Sequence, residues 1–282
     1  MKTYSNEHFV GERALFKQRD IKVVSCLFDD GESPLKEGKN IEVEKTIFGW
    51  KYPLWYGDNH FVKNCTFLAT ERAGIWYTNN STFKDCSIIG PKNFRRCKNI
   101  SLENINFEDA LETLWWNEDV KIKNITAKGN YFAKSCKNIE VENLHLEGDY
   151  GFDSCENLHI KDSILHTKDA FWNCKNVLIE NSEIIGEYFS WNSENITLIN
   201  CKVSSNQGFC YMKNIKLINC DLSGTDLSFE YCENIDADIK GDLLSIKNPI
   251  SGKIIAEKVG EYIKDDPEID HDKTILEIKH EI

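Results

Sequence analysis

Apolar and polar residues alternate in short bursts along most of the chain. NIEVEN (138–143), NLHIKD (157–162), NVLIEN (176–181), NITLIN (195–200) and NIKLIN (214–219) each put an aliphatic side chain at every second position. Period two predicts a strand with one buried face. Branched and aliphatic residues at those positions suit such a face. The LxxLxL phrase and helical return of a leucine-rich repeat do not occur.

The bursts recur at a nearly fixed distance. They are led by Asn40, Asn59, Asn80, Asn99, Asn138, Asn157, Asn176, Asn195, Asn214 and Asn234, with Asp20 and Asp119 in the two remaining slots, and every step is 19, 20 or 21 residues. That period predicts a solenoid. Each coil reads as roughly three short strands separated by turns. The fold class is all-β: a single-stranded right-handed parallel β-helix of about 12–13 coils. Asn tolerates the left-handed backbone needed at a sharp bend. Stacked at about 4.8 Å, the strand spacing, its amides can bond up and down the column. Asp fits the bend but weakens the ladder when ionised.

Two further columns keep the same register. Five residues before the Asn slot stand Leu54, Ile75, Phe94, Leu114, Phe152, Phe171, Phe209 and Phe229, an interior file; Phe132 and Phe189 come one residue early, which predicts a local bulge. Cysteine occupies two columns, at Cys97, Cys136, Cys155, Cys174 and Cys232 two residues before the slot, and at Cys26, Cys65, Cys86, Cys201 and Cys220 six after it. Ser, Thr, Ile, Leu and Met share these columns, so a small or apolar filler is expected there. Rung spacing of about 4.8 Å is too long for an easy disulfide. There is no CxxC and no zinc-type spacing.

The repeat runs from residue 20 to about 257. The whole chain, 1–282, is read as one β-helix domain, with residues 1–19 as an N-terminal cap and 258–282 as a C-terminal cap over the open sheet edges. No run of about 18 apolar residues occurs, so no membrane span is expected. The first residues lack the apolar core of a secretory signal. The expected compartment is the cytoplasm, where the 11 cysteines stay reduced. The net charge of −12 is interspersed with no basic stripe, which speaks against a nucleic-acid partner.

CKNVLIENSEI resembles the coil phrase of the pectin-lyase-like superfamily. More specifically, GERALF (11–16), GESPLKE (31–37), KYPLWY (51–56), GIWYT (74–78), KDAFWN (168–173), GEYFSWNS (186–193) and SIKNPISG (245–252) resemble a bacterial family of β-helix proteins labelled a domain of unknown function. The resemblance implies the fold and supplies no activity. In the superfamily a substrate groove runs along the strand that begins about six residues after the Asn corner. The polygalacturonase signatures NTD, HG and a DD pair in the groove do not occur here.

Mapping that strand order onto this chain gathers carboxylates and imidazoles on the middle coils. His145, Glu147, His166 and Asp169 become catalytic candidates, because paired acids and bases cleave glycosidic bonds. The same oxygens suit Ca²⁺, although no cofactor or metal is required. Solvated faces of solenoids carry such residues too. Five tryptophans share one column, four before the slot: Trp55, Trp76, Trp115, Trp172 and Trp191. Arg95, Lys134, Asp153 and Glu230 share it, so the column is expected to face outward. Trp115, Trp116, Asp153, Trp172 and Trp191 are then substrate-binding candidates, since flat rings beside carboxylates suit sugars. Cys210, in the same column, is expected to be exposed. The functional expectation is an oligosaccharide-binding or carbohydrate-processing protein; an enzyme of this kind would resemble a glycoside hydrolase or polysaccharide lyase. The alternative is a non-enzymatic scaffold, a monomer or homodimer, that binds a protein through the aromatic face.

Overall fold

The computed structural model describes residues 1–279, and its alternating segments are parallel strands stacked rung on rung into a β-solenoid. The chain divides into two compact units, Met1–His145 and Leu146–Ile282. In the first unit the rungs begin with strands Lys2–Ser5, Arg19–Val24, Lys39–Glu44, Asp58–Lys63, Asn79–Ile88, Lys98–Phe107, Glu118–Lys128 and Lys137–Glu147, the last running past the unit's boundary. In the second they begin with Glu156–Lys161, Lys175–Glu180, Glu194–Ile199, Lys213–Asp221, Glu233–Lys247, Gly252–Ile263 and Thr274–Ile278. The described residues thus form about 15 rungs, not 12–13. The additions lie at the ends. Lys2–Ser5 pairs in parallel with Ile21–Val24, and Thr274–Ile278 pairs with Gly252–Ala256. The segments expected as caps carry rungs of their own.

The expected Asn corner is present. Asn40, Asn59, Asn80 and Asn99 hold φ of 50–54°, and the second unit repeats this at Asn157, Asn176, Asn195, Asn214 and Asn234. Neighbouring amides bond at 2.7–3.0 Å, as in Asn59 to Asn40 and Asn214 to Asn195. Asp20 accepts from Asn40 and Asp119 from Asn138, so each Asp serves as an acceptor in the ladder. A second ladder stands five residues further on. Asn124 bonds to Asn104, and Asn219 to Asn200, again with left-handed backbone. Most coils are therefore either one long strand bent at a left-handed residue or two strands broken there, and the remaining side is turn. The three-strand expectation is corrected: between the Phe column and the Asn slot most residues form turns.

The Phe column is interior as expected, and Phe94, Phe152, Phe171, Phe209 and Phe229 are fully buried. Phe152 stacks on Phe171 at 5.2 Å and Phe209 on Phe229 at 5.3 Å. In the two coils where Phe comes early, Ala133 and Ser190 take the slot with the same left-handed backbone (φ 58° and 60°). No residue is inserted there; the aromatic moves one position and stays buried as Phe132 or Phe189.

Both cysteine columns flank left-handed corners, and this revises their role. Cys136 donates to the Leu114 carbonyl at 2.8 Å, Cys174 to Phe152 at 2.8 Å and Cys232 to Phe209 at 2.7 Å. Where the column holds another residue, Asn117 bonds Phe94 O at 2.7 Å and Ser193 bonds Phe171 O at 2.6 Å. The column selects a small donor for a turn carbonyl that would otherwise be buried unpaired. All eleven cysteines are free and buried.

Candidate functional site

The turn side carries the aromatic columns, and the two units use them differently. Each begins from the same backbone ladder. Tyr56 N bonds Trp76 O at 2.9 Å, and Asn173 N bonds Trp191 O at 2.9 Å. The residue three before the Asn slot has left-handed backbone throughout, and so points away from the core residue two positions earlier.

In the first unit the rings are closed against each other. Trp55 and Trp76 stack at 5.1 Å with planes 9° apart, and Tyr56 and Tyr77 stack at 4.7 Å and 1°. Arg95 inserts between Trp76 (5.2 Å) and Trp115 (4.4 Å). Its Nη2 reaches Glu112 Oε2 at 2.6 Å and the Glu112 carbonyl at 3.0 Å. Burial alone would raise the Glu112 carboxyl, but the bonds from Arg95 and the charge of Lys92 outweigh it and hold the group below its ordinary range. The indole nitrogens of Trp55, Trp76 and Trp115 donate to the carbonyls of Ala73, Lys92 and Tyr131. This inner file is satisfied by its own fold.

In the second unit the rings are splayed. Trp172 and Trp191 lie 6.0 Å apart and tilted by 39°, Trp191 and Tyr211 4.9 Å apart and tilted by 38°, and Tyr150 meets Trp172 edge-on. Trp172 donates to Tyr188 O at 2.9 Å. The Trp191 indole N–H makes no hydrogen bond among the described residues. Carboxylates occupy the same side. Asp153 accepts from Ser154 at 2.7 Å. Glu230 accepts from Gln207 at 2.7 Å and pairs with Lys247 at 3.0 Å. Asp169 is buried, and burial raises its carboxyl, helped by Asp149 and Glu187 and opposed by Lys168 and a bond from Tyr150. Tyr231 donates to Asp266 at 3.0 Å, which raises the phenol.

The nominated residues fall in different places. His145 and Glu147 are exposed on the outer face of strand Lys137–Glu147, and His166 is exposed on strand Ile164–His166, where its rung partner is Ile185. Asp169 is the one catalytic candidate on the turn side. Trp115 belongs to the closed inner file of the first unit and Trp116 stands exposed beside it; Asp153, Trp172 and Trp191 belong to the splayed file of the second. Two expectations are corrected. Cys210 is buried, with Sγ turned back to the Gln207 carbonyl at 3.3 Å, and burial pushes its thiol up to about 12. The tryptophan column is half-buried, and its charged occupants Arg95, Asp153 and Glu230 are themselves buried. Sequence reasoning missed Gln207, Lys247 and Asp266; their pairing with Glu230 and Tyr231 crosses rungs and leaves no periodic trace. Among the described residues no group of three or more His, Cys, Asp or Glu comes together to hold a metal, and no helix is long and apolar enough to cross a membrane.

Residues 2–277 match the family described as "Protein of unknown function (DUF3737)". No curated protein matches the chain. Among solved structures, a mutant tailspike protein of E. coli bacteriophage HK620 in complex with pentasaccharide aligns at 10% identity and TM-score 0.46, over 92% of this chain and 70% of that one. The A-module of mannuronan C-5 epimerase AlgE4 from Azotobacter vinelandii aligns at 9% identity and TM-score 0.31, over 99% and 89%. A point mutant of the periplasmic alginate epimerase AlgG aligns at 9% identity and TM-score 0.28, over 93% and 72%.

Proposed function

This chain belongs to DUF3737, a family of proteins of unknown function, and from that premise we propose that it binds carbohydrate along the splayed rings of its second unit. The tilt of Trp191 against both neighbours carries the reading. Rings inclined by nearly 40° leave part of each face open, and a pyranose ring packs its C–H groups on such a face. Trp191 has an uncommitted indole donor, and Tyr211 is exposed beside it. Asp153, Asp169, Glu187 and Glu230 on the same side supply acceptors for hydroxyls. An uncharged oligosaccharide fits better than an anionic one, because the four carboxylates outnumber the two cations, Lys168 and Lys247, that pair with Glu187 and Glu230.

Turnover is a second reading, favoured by Asp169 alone. Burial raises this carboxyl, which is the direction a general acid needs. His145, Glu147 and His166 lie on strand faces and have no place in this version.

The test is binding of the protein to an array of neutral oligosaccharides, repeated with Trp191→Ala and Tyr211→Ala. Wild type should give glycan signals that fall at least tenfold in both variants, with melting temperatures unchanged. Background signal for wild type across the array, or equal signals from wild type and both variants, would remove the reading.

A further inference from the structure

The first unit carries an outer file distinct from its closed tryptophans. Tyr56, Tyr77, Arg96 and Trp116 occupy the third position before the slot on four successive rungs, held by bonds such as Tyr77 N to Arg95 O at 2.9 Å and Arg96 N to Trp115 O at 2.9 Å. Arg96 lies 4.7 Å over the Trp116 ring; on the preceding rung the slot holds Glu37, paired with Lys17 at 3.3 Å, and its neighbour Lys36 lies 5.5 Å over Tyr56 and joins the file from the inner column.

Three observations set this file apart. First, its donors are unused. The Lys36 ammonium, the two phenols, the Arg96 guanidinium and the Trp116 indole make no side-chain hydrogen bond or ion pair among the described residues, whereas the inner indoles of Trp55, Trp76 and Trp115 and the Arg95 guanidinium all donate hydrogen bonds. Cations elsewhere on this unit, such as Lys84, Lys98 and Lys123, pair with acids on the next rung. Second, the backbone does not ask for these residues. All four sit at φ of 52–57°. Asn takes that conformation more readily than bulkier residues and occupies the equivalent slot at Asn173 and Asn192. A bulky side chain there costs about 1 kcal/mol or more, a cost that Tyr211 and Tyr231 also bear at this slot in the second unit. Third, a face of each ring is taken: Lys36 lies over Tyr56, Tyr56 and Tyr77 stack on each other, and Arg96 covers one face of Trp116. Tyr56 and Trp116 are exposed, and they offer ring edges, which are the electropositive rim, beside two cations.

We propose that the Lys36–Tyr56–Tyr77–Arg96–Trp116 file binds an extended acidic segment of a partner protein. The three rung steps from Tyr56 to Trp116 span about 14 Å at the strand spacing, the length of about four extended residues. Arg96 offers a fork to one carboxylate and Lys36 a point charge to another. Tyr, Trp and Arg are the side chains that anchor protein interfaces. Single-stranded nucleic acid would need open ring faces for its bases, and pyranose rings would need them too.

The experiment is fluorescence anisotropy with the full chain and three labelled probes: a twelve-residue Glu/Asp-rich peptide, its Gln/Asn counterpart, and a dT20 oligonucleotide. The acidic peptide should bind, weaken as salt rises, and bind at least tenfold more weakly to K36E/R96E and to W116A. Both are surface changes, and an unchanged melting temperature confirms that the variants fold. W191A should leave peptide binding intact, which separates this surface from the carbohydrate reading. No preference for the acidic peptide over its neutral counterpart would overturn the proposal. So would equal binding by K36E/R96E, or tighter binding of dT20.

Discussion

The guanidinium carbon of Arg95 lies 4.4 Å from the ring centroid of Trp115, on a side chain that is only 8% exposed as a residue. The opposite side meets Trp76 at 5.2 Å, and Glu112 takes the edge at 2.6 Å. A cation that is nearly out of water is tolerated because it lies against two indoles and its Nε and Nη2 are bonded to Glu112. The ring contacts contribute about 0.5–2 kcal/mol each and the charged hydrogen bonds about 1.5–3 kcal/mol.

Arg95→Ala should therefore lower unfolding stability by about 2–4 kcal/mol, since it removes the ring contacts and leaves a half-buried Glu112 with fewer partners. Arg95→Lys should recover less than half, because a point charge cannot bond Glu112 in a fork and fill the space between two indoles. Urea midpoints of the three proteins decide it. Equal midpoints for wild type and Arg95→Ala would mean the sandwich contributes nothing.

Much of this architecture is legible at one residue per coil. Asn40, Asn59 and Asn80 recur because few residues accept φ near 50°, and Phe152 and Phe171 recur because they fill one file. Both constraints repeat with every rung and so write themselves into the sequence. The turn side does not read this way. Alternation assigns in and out only where the backbone is extended; between Phe209 and Tyr211 two left-handed residues flank Cys210 and fold its thiol back inside. Charge misleads there for a related reason. Glu230 looks exposed from its type, yet Gln207 and Lys247, on neighbouring rungs, make its burial affordable. Which rings close and which splay depends on contacts between coils, as with Arg95 between Trp76 and Trp115.

The cysteine columns give a sharper test than their packing alone. Cys174 is fully buried and donates to Phe152 O at 2.8 Å, while Ser193 does the same for Phe171 one rung on. Cys174→Ser should keep stability within about 1 kcal/mol, and Cys174→Ala should lose about 1–3 kcal/mol, the cost of a buried carbonyl without a donor. If the site wanted only an apolar filler, the order would reverse. Thermal melts of the two variants distinguish the outcomes.

Glu71 sets the response to alkali. It is fully buried on the short 3₁₀ turn Ala69–Glu71, against Gly74 and Gly90, and accepts one bond from Asn93 Nδ2 at 3.3 Å; its Oε1 has no partner. Burial pushes its carboxyl up to about 8, with the Asn93 bond opposing. The unfolded chain ionises this acid near 4.5, so between 4.5 and 8 the folded state holds the extra proton. Its contribution to stability is complete below the unfolded value and is lost as pH rises through 8, at up to about 1.4 kcal/mol per pH unit. His60 acts on the other limb: burial pushes it down to about 4, so its contribution is lost as pH falls below 6.5. Glu71→Gln removes the titration and keeps the shape. Measured against Glu71→Gln by urea unfolding at pH 5, 7 and 9, wild type should lose relative stability at each step, most of it by pH 9. A constant difference across the three pH values would show that Glu71 ionises in the folded protein as it does in water.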